Sequence, residues 1–335
     1  MTYKMIAWMS VVNQDFANNV KCKEISMEDK NMYFNDREEV IALTPFWRGE
    51  RLPDGRPKVE DKYLDALYGM TLEEVWKPIF VLGYENQFVG GGLSPLHALH
   101  NDGRKLVGRA VTCSFCPTRP DLHELQFARG AEEGRSGNYN QWVIDNLYER
   151  DVVVCDMYDK IYKGTFVGGN LTTAIKKRTQ NGGAVIWGGV RDVEQMKTVP
   201  DVQVYYRGID PTPIRDFVMK DWNNITNFGG AVCLPGDIVF GAGGGVIFIP
   251  SHLVAYVVEG ASKTHVKDDF GFEMIRQGKF TTAQIDRNTW TEEMLDMLTE
   301  WIKTDPQGEE YRDLDWSKEY DLARNGDPND TQTAL

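Results

Sequence analysis

Val167-Gly168-Gly169-Asn170-Leu171-Thr172 and, further on, Ala184-Val185-Ile186-Trp187-Gly188-Gly189-Val190-Arg191-Asp192 are the stretches whose reading decides the fold. A strand leads into two glycines that turn the chain, and Leu171–Gln180 then keeps helical spacing at Leu171, Ala174 and Ile175. A second apolar run, too short for a helix, returns and stops at Gly188-Gly189. Strand, helix and strand with short connections predict a crossover unit of a largely buried sheet. Runs of the same length, rich in β-branched residues, recur at Leu106–Thr112, Val152–Cys155, Val202–Tyr206 and Gly245–Ile249. The predicted class is α/β.

The geometry of such a unit brings its two ends together. The turn opens a helix whose first amides lack carbonyl partners and so favour an anion, with Asn170 as the expected N-cap. The next strand delivers Arg191 and Asp192 to the same edge of the sheet. Arginine offers a planar fork that matches a carboxylate, and the adjacent aspartate can hold a hard cation directly or through water. An Arg-Asp pair beside open amides suits a 2-oxo acid: arginine and amides take the carboxylate, and a metal at the aspartate takes the keto oxygen.

Working outward, Thr71-Leu72-Glu73-Glu74 fits a capping box, with Pro78 in the second turn of the helix it starts. Residues 1–70 have few periodicities and read as an irregular extension with Trp8, Phe46 and Trp47 as packing anchors. Residues 291–303 form an amphipathic helix with Met294, Leu295, Leu298 and Ile302 on one face. Beyond it nine acidic and four basic residues in 303–335 predict a solvated, partly disordered tail. The expected organisation is an extension over 1–70, a core over 71–285 and a C-terminal helix with an acidic tail over 286–335.

Composition narrows the function. The chain of 335 residues carries a formal net charge of −13, which disfavours phosphate backbones and hence nucleic acid as a direct partner. No run reaches the ~18–20 apolar residues of a membrane span, and the amino terminus lacks a secretory cleavage pattern. Cys22, Cys113, Cys116, Cys155 and Cys233 are sparse and odd in number, which fits reduced thiols and a cytoplasmic location. Cys113 and Cys116 lack a second pair for zinc and read as ordinary buried thiols. Gly241-Ala242-Gly243-Gly244-Gly245 has Val246 where a dinucleotide fingerprint needs its third glycine, and a strand rather than a helix follows. His97 and His100 fall in an expected loop and read as ordinary polar residues.

Four stretches together resemble the RraA-like family, which contains metal-dependent 4-hydroxy-4-methyl-2-oxoglutarate aldolases. They are Leu106-Val107-Gly108-Arg109-Ala110-Val111-Thr112; Asp151-Val152-Val153-Val154-Cys155-Asp156; Gly169-Asn170-Leu171 with Arg191-Asp192; and Pro235-Gly236-Asp237-Ile238-Val239 running to Gly245-Val246 and Pro250. The resemblance implies a swivelling β/β/α domain, here with an irregular N-terminal and a helical C-terminal extension, assembled as a homotrimer or homohexamer with sites at subunit interfaces. It also implies a metal-dependent lyase that cleaves a 4-hydroxy-2-oxo acid to pyruvate, or decarboxylates a related keto acid such as oxaloacetate. Arg191 and Asp192 would be catalytic. Gly169, Asn170, Leu171, Thr172 and Arg191 would bind substrate, and Asp192 would hold Mg²⁺ or Mn²⁺.

The chain departs from the family pattern at three positions. Asn170 stands where the aldolases usually have Asp, and Ala242 and Gly244 stand where relatives often carry acids. An acid from a neighbouring subunit completes the family's site, and Asp268, Asp269 and Glu273 are the nearest by position. A second reading keeps the scaffold without the chemistry, since the family includes a regulator that binds and inhibits a ribonuclease. A third, NAD-dependent oxidation, rests only on the defective glycine run.

Overall fold

The computed structural model describes residues 34–92 and 95–326. Trp8, Cys22 and residues 327–335 of the expected tail lie outside the described residues. Eleven strands are described: β1 (Phe88–Gly90), β2 (His97–Ala98), β3 (Leu106–Pro117), β4 (Asp151–Val167), β5 (Gly183–Val190), β6 (Gln203–Ile209), β7 (Phe217–Trp222), β8 (Thr226–Phe228), β9 (Ala231–Cys233), β10 (Ile238–Ala242) and β11 (Gly245–Ile249). Nine of them form one sheet in the order β1-β11-β10-β3-β4-β5-β6-β2, with β7 paired to β3. β3, β4, β5 and β6 are parallel neighbours and the flanking pairs are antiparallel.

Strand alternation sorts the side chains into layers. Val152 and Val154, Val185 and Tyr205 pack on one face with Ala110, Val239, Val246 and Phe248. Val153, Cys155, Ala184, Ile186, Val204 and Tyr206 point to the other face and meet Tyr139, Trp142, Ile175 and Met196 from the helices. Because both faces are covered, the parallel strands read as continuous apolar runs rather than as alternating ones. Ile238, Phe240, Ile247 and Ile249 extend the second face and pack on Val59, Leu64, Val75, Ile79 and Val257.

The crossover from β4 to β5 runs through the helix Gly169–Thr179, as expected. The crossover from β3 to β4 also runs through helices, Pro120–Glu132 and Tyr139–Ile144, which the sequence reading missed. The first of these buries only Gln126 and Gly130, so its apolar signal is faint. The capping box at Thr71 is present, with reciprocal bonds between Thr71 and Glu74, and its helix runs Leu72–Phe80 through Pro78.

Ahead of Thr71 the described chain holds two short helices, Arg37–Leu43 and Asp61–Leu67. Trp47 packs on the core beside them, whereas Phe46 is 71% exposed and is no anchor. The anchor that sequence reading missed is Arg56. Its guanidinium is fully buried, grips Asp151 through two 2.8 Å bonds, and reaches Asp54 at 2.7 Å. Burial opposes its charge, but the two carboxylates more than offset this and move its pKa up. Cys113, Cys155 and Cys233 are buried free thiols, while Cys116 is partly exposed.

At the other end the helix Glu292–Thr304 buries Met294, Leu295, Leu298 and Ile302, the expected face. The tail expectation needs correction. Residues 306–311 form a 3-10 turn and Ser317–Asn325 a helix. Trp316 is buried against this group, with Tyr311, Leu314 and Tyr320 partly buried beside it. Four apolar side chains suffice because they meet an apolar face already displayed by the preceding helix. No helix among the described residues is long and apolar enough to cross a membrane.

Candidate active site

Register explains why the two decisive stretches meet. Val167, the last residue of β4, pairs with Val190, the last residue of β5. The chain therefore leaves both strands at the same level: Gly168 starts the turn on one side, and Arg191 and Asp192 follow on the other. The Arg191 amide donates to the Val167 carbonyl at 3.1 Å, which locks the junction.

Gly168 is needed for space. Its backbone is extended (φ −142°), a conformation open to any residue, but a Cβ there would lie 2.5 Å from Asp192 Oδ2 and 3.0 Å from Arg191 Cγ. Asp192 itself adopts a left-handed conformation (φ 54°), tolerated by aspartate, and makes no side-chain cap to the short helix Val193–Met196 that follows. Its carboxylate lies 3.6 Å from Arg191 Nε, and both side chains keep around two fifths of their surface exposed. The pair is loose and open to a ligand.

The helix begins earlier than the sequence suggested. Gly168 is the N-cap and Asn170 lies inside the first turn, with no side-chain cap bond. The amides of Gly169, Asn170 and Leu171 donate to no other group among the described residues. The Thr172 amide bonds the Gly168 carbonyl at 3.0 Å, and its hydroxyl is buried without a partner. Thr172 is expected from the sequence to bind substrate; its side chain is buried and is not among the residues lining the adjoining cavity.

A cavity of about 300 Å³ opens here. Gly168, Asn170, Leu171, Arg191 and Asp192 line it. Gly169 and Thr172 are buried and do not line it. The other walls were not legible: Asn138 and Gln141 from one loop and helix start, Gln195 beyond Asp192, and Pro213 and Ile214 from the loop after β6. Only Asn138 carried a signal, since Asn138 and Gln141 form a capping box of recognisable spacing.

Among the described residues no group of three or more His, Cys, Asp or Glu side chains could hold an ion. Asp192 is the one carboxylate lining the cavity, so the site suits a strongly hydrated cation such as Mg²⁺, which keeps most of its waters and takes one or two carboxylates. Asp268, Asp269 and Glu273 lie on the helix Val254–Arg276 and do not line this cavity. Asp269 faces His265 at 3.6 Å, and Glu273 pairs with Arg276 at 3.3 Å. Ala242 and Gly244 belong to the turn of the β10–β11 hairpin, where Gly241 pairs with Leu106 at the start of β3. Arg191 follows the opposite end of β5, roughly 25 Å away by strand rise. Within one chain those positions cannot reach Arg191. The hairpin is also no dinucleotide turn, because a strand pairs back directly.

Comparison with known proteins follows the same core. The RraA-like family model, described as Aldolase/RraA, matches residues 81–248. Protein DlpA of Legionella pneumophila is 29% identical over 171 residues, which cover 51% of this chain but 25% of that protein. The chain thus spans a quarter of that relative's length. A Pseudomonas entomophila protein named "Putative 4-hydroxy-4-methyl-2-oxoglutarate aldolase" is 31% identical over 156 residues, covering 43% of this chain and 95% of the relative. The crystal structure of an unusual Streptomyces coelicolor member of the RNase ES inhibitor RraA protein family superposes with a TM-score of 0.52 at 22% identity. It covers 64% of this chain and 97% of its own, a likeness of fold.

Proposed function

This chain belongs to the RraA-like family, and from that premise we propose that it is a carbon–carbon lyase acting on a 4-hydroxy-2-oxo acid or on a related keto acid such as oxaloacetate. One observation carries the reading. The pairing of Val167 with Val190 brings Arg191 and Asp192 to the cavity that Asn170 and Leu171 line, and the amides of those two residues donate to no other group among the described residues. The aldolase name of the Pseudomonas entomophila relative supports it.

Arg191 takes the substrate carboxylate in a forked pair, and the amides of Asn170 and Leu171 with the helix dipole add to that grip. This orients the 2-keto group toward Asp192. Cleaving the C3–C4 bond, or losing carbon dioxide from oxaloacetate, leaves the same pyruvate enolate. Mg²⁺ or Mn²⁺ held by Asp192 would supply electrostatic stabilisation of the charge that builds on the keto oxygen. Completion of the site by an acid of a second copy, in a cytoplasmic homotrimer or hexamer, belongs to the same proposal and draws its support from the family.

The test follows pyruvate release from oxaloacetate, then from a panel of 4-hydroxy-2-oxo acids, with Mg²⁺ and with chelator. Arg191→Ala and Asp192→Ala should each lose about 3–4 kcal/mol of transition-state stabilisation, a factor of several hundred in rate. Turnover that ignores the chelator and both substitutions would refute the reading. A folded protein with no turnover on the whole panel would favour a binding role instead.

A further inference from the structure

A second cavity, of about 410 Å³, shares no lining residue with the Arg191 site. It forms where residues 42–47 meet the turn from β9 into β10 and the exit of β11. The pairing of Ile238 with Ile249 sets that turn and that exit side by side, and Asp237, just ahead of Ile238, joins them. One of its carboxyl oxygens accepts from the Leu234 amide at 2.8 Å and the other from the Ser251 amide at 3.3 Å. Leu234, Asp237 and Ser251 all line the cavity. Each oxygen keeps lone-pair capacity beyond the one amide it receives.

This acid is buried and lacks a counter-charge in the cavity wall. No lysine or arginine lines the cavity, and burial lowers the pKa of His252, so its imidazole brings no positive charge at neutral pH. Burial accordingly pushes the Asp237 carboxyl up to about 7, the response of an acid whose ion-pair partner is missing. The rest of the wall is largely apolar and aromatic. Trp47 and Tyr84 are half-buried in it, and Phe46 stands mostly exposed with its ring 5.3 Å from that of His252. The Arg51 guanidinium holds this segment in place by donating to the Thr44 carbonyl at 2.9 Å and the Gly55 carbonyl at 2.8 Å. An exposed phenylalanine adds little to the core, whereas aromatic faces gathered around an acid attract an organic cation.

We propose that this cavity binds a small organic ammonium, a primary amine on an apolar body, with Asp237 as its counter-ion and Phe46, Trp47 and Tyr84 as its aromatic wall. The ammonium donates to the carboxylate, and the apolar body lies against the rings. The volume suits a small-molecule ligand. The same acid repels carboxylates, so the cavity is distinct in chemistry from the Arg191 site as well as in place.

The experiment titrates the full chain calorimetrically at pH 8 with benzylammonium and with benzyl alcohol, which match in size and differ in charge. Benzylammonium should bind tighter by about 10-fold or more, and Asp237→Asn should abolish that preference. Phe46→Ala, at an exposed position, should weaken benzylammonium by about 2- to 5-fold, the effect of one exposed cation–π contact. Thermal melting shows that the variants fold, and Phe46→Ala decides alone if Asp237→Asn does not. Equal binding of alcohol and ammonium would make the cavity merely apolar and overturn the proposal. A preference that survives in Asp237→Asn, an affinity untouched by Phe46→Ala, or binding of neither probe would overturn it as well.

Discussion

At the scale of single residues the site depends on an absent side chain as much as on present ones. Gly168 leaves the space into which Asp192 and Arg191 lean. Because its backbone is ordinary, Gly168→Ala should still fold, with a loss of about 1–3 kcal/mol from the methyl forced into occupied space. The added methyl must push Asp192 Oδ2 aside, so binding of a 2-oxo acid should weaken by about 10-fold or more. Titration and thermal melting of the same preparation check this, and unchanged affinity would show that the carboxylate position is immaterial. Asn170 lines the same cavity as Arg191 without a charge, so it adds a neutral amide there and not a second anion.

At the scale of elements, legibility followed burial. Ala184–Trp187 and Gly245–Ile249 were readable because both of their faces are covered and each is a continuous apolar run. The meeting of Gly168 with Arg191-Asp192 was readable because a single crossover joins them. The walls from Asn138 and Pro213 were not, since distant loops carry no period that links them to β5. The helix start was misjudged because Gly168, with no side chain, takes the cap position that Asn170 was expected to fill. Ser317–Asn325 was hidden for another reason: its own residues bury nothing fully, and Trp316 just ahead of it holds it to the helix Glu292–Thr304. Trp316→Ala should therefore lower stability by about 3 kcal/mol. A urea unfolding curve reads this, and a change under about 0.5 kcal/mol would mean that the tail does not pack.

At the scale of the whole molecule, one buried acid couples the fold to pH. Asp237 accepts from the Leu234 amide at 2.8 Å and the Ser251 amide at 3.3 Å. Burial outweighs these donors and pushes its carboxyl up to about 7. The unfolded chain loses this proton near pH 4, and the folded chain keeps it until about pH 7. The stabilisation is thus present in full below pH 4 and shrinks by up to about 1.4 kcal/mol per pH unit until pH 7, staying flat above. Stability of the natural chain relative to Asp237→Asn should accordingly fall between pH 5 and pH 8. Urea midpoints at the two pH values test it, and a constant difference would place the titration elsewhere.

The site itself is examined most directly by a crystal structure grown with oxalate and Mg²⁺, oxalate being a stable mimic of the pyruvate enolate. The account predicts one oxalate carboxylate forked on the Arg191 guanidinium and facing the amides of Asn170 and Leu171, with the ion and its waters on Asp192. Oxalate and ion bound together at some other part of the fold, with the cavity between β4 and β5 left to solvent, would contradict it.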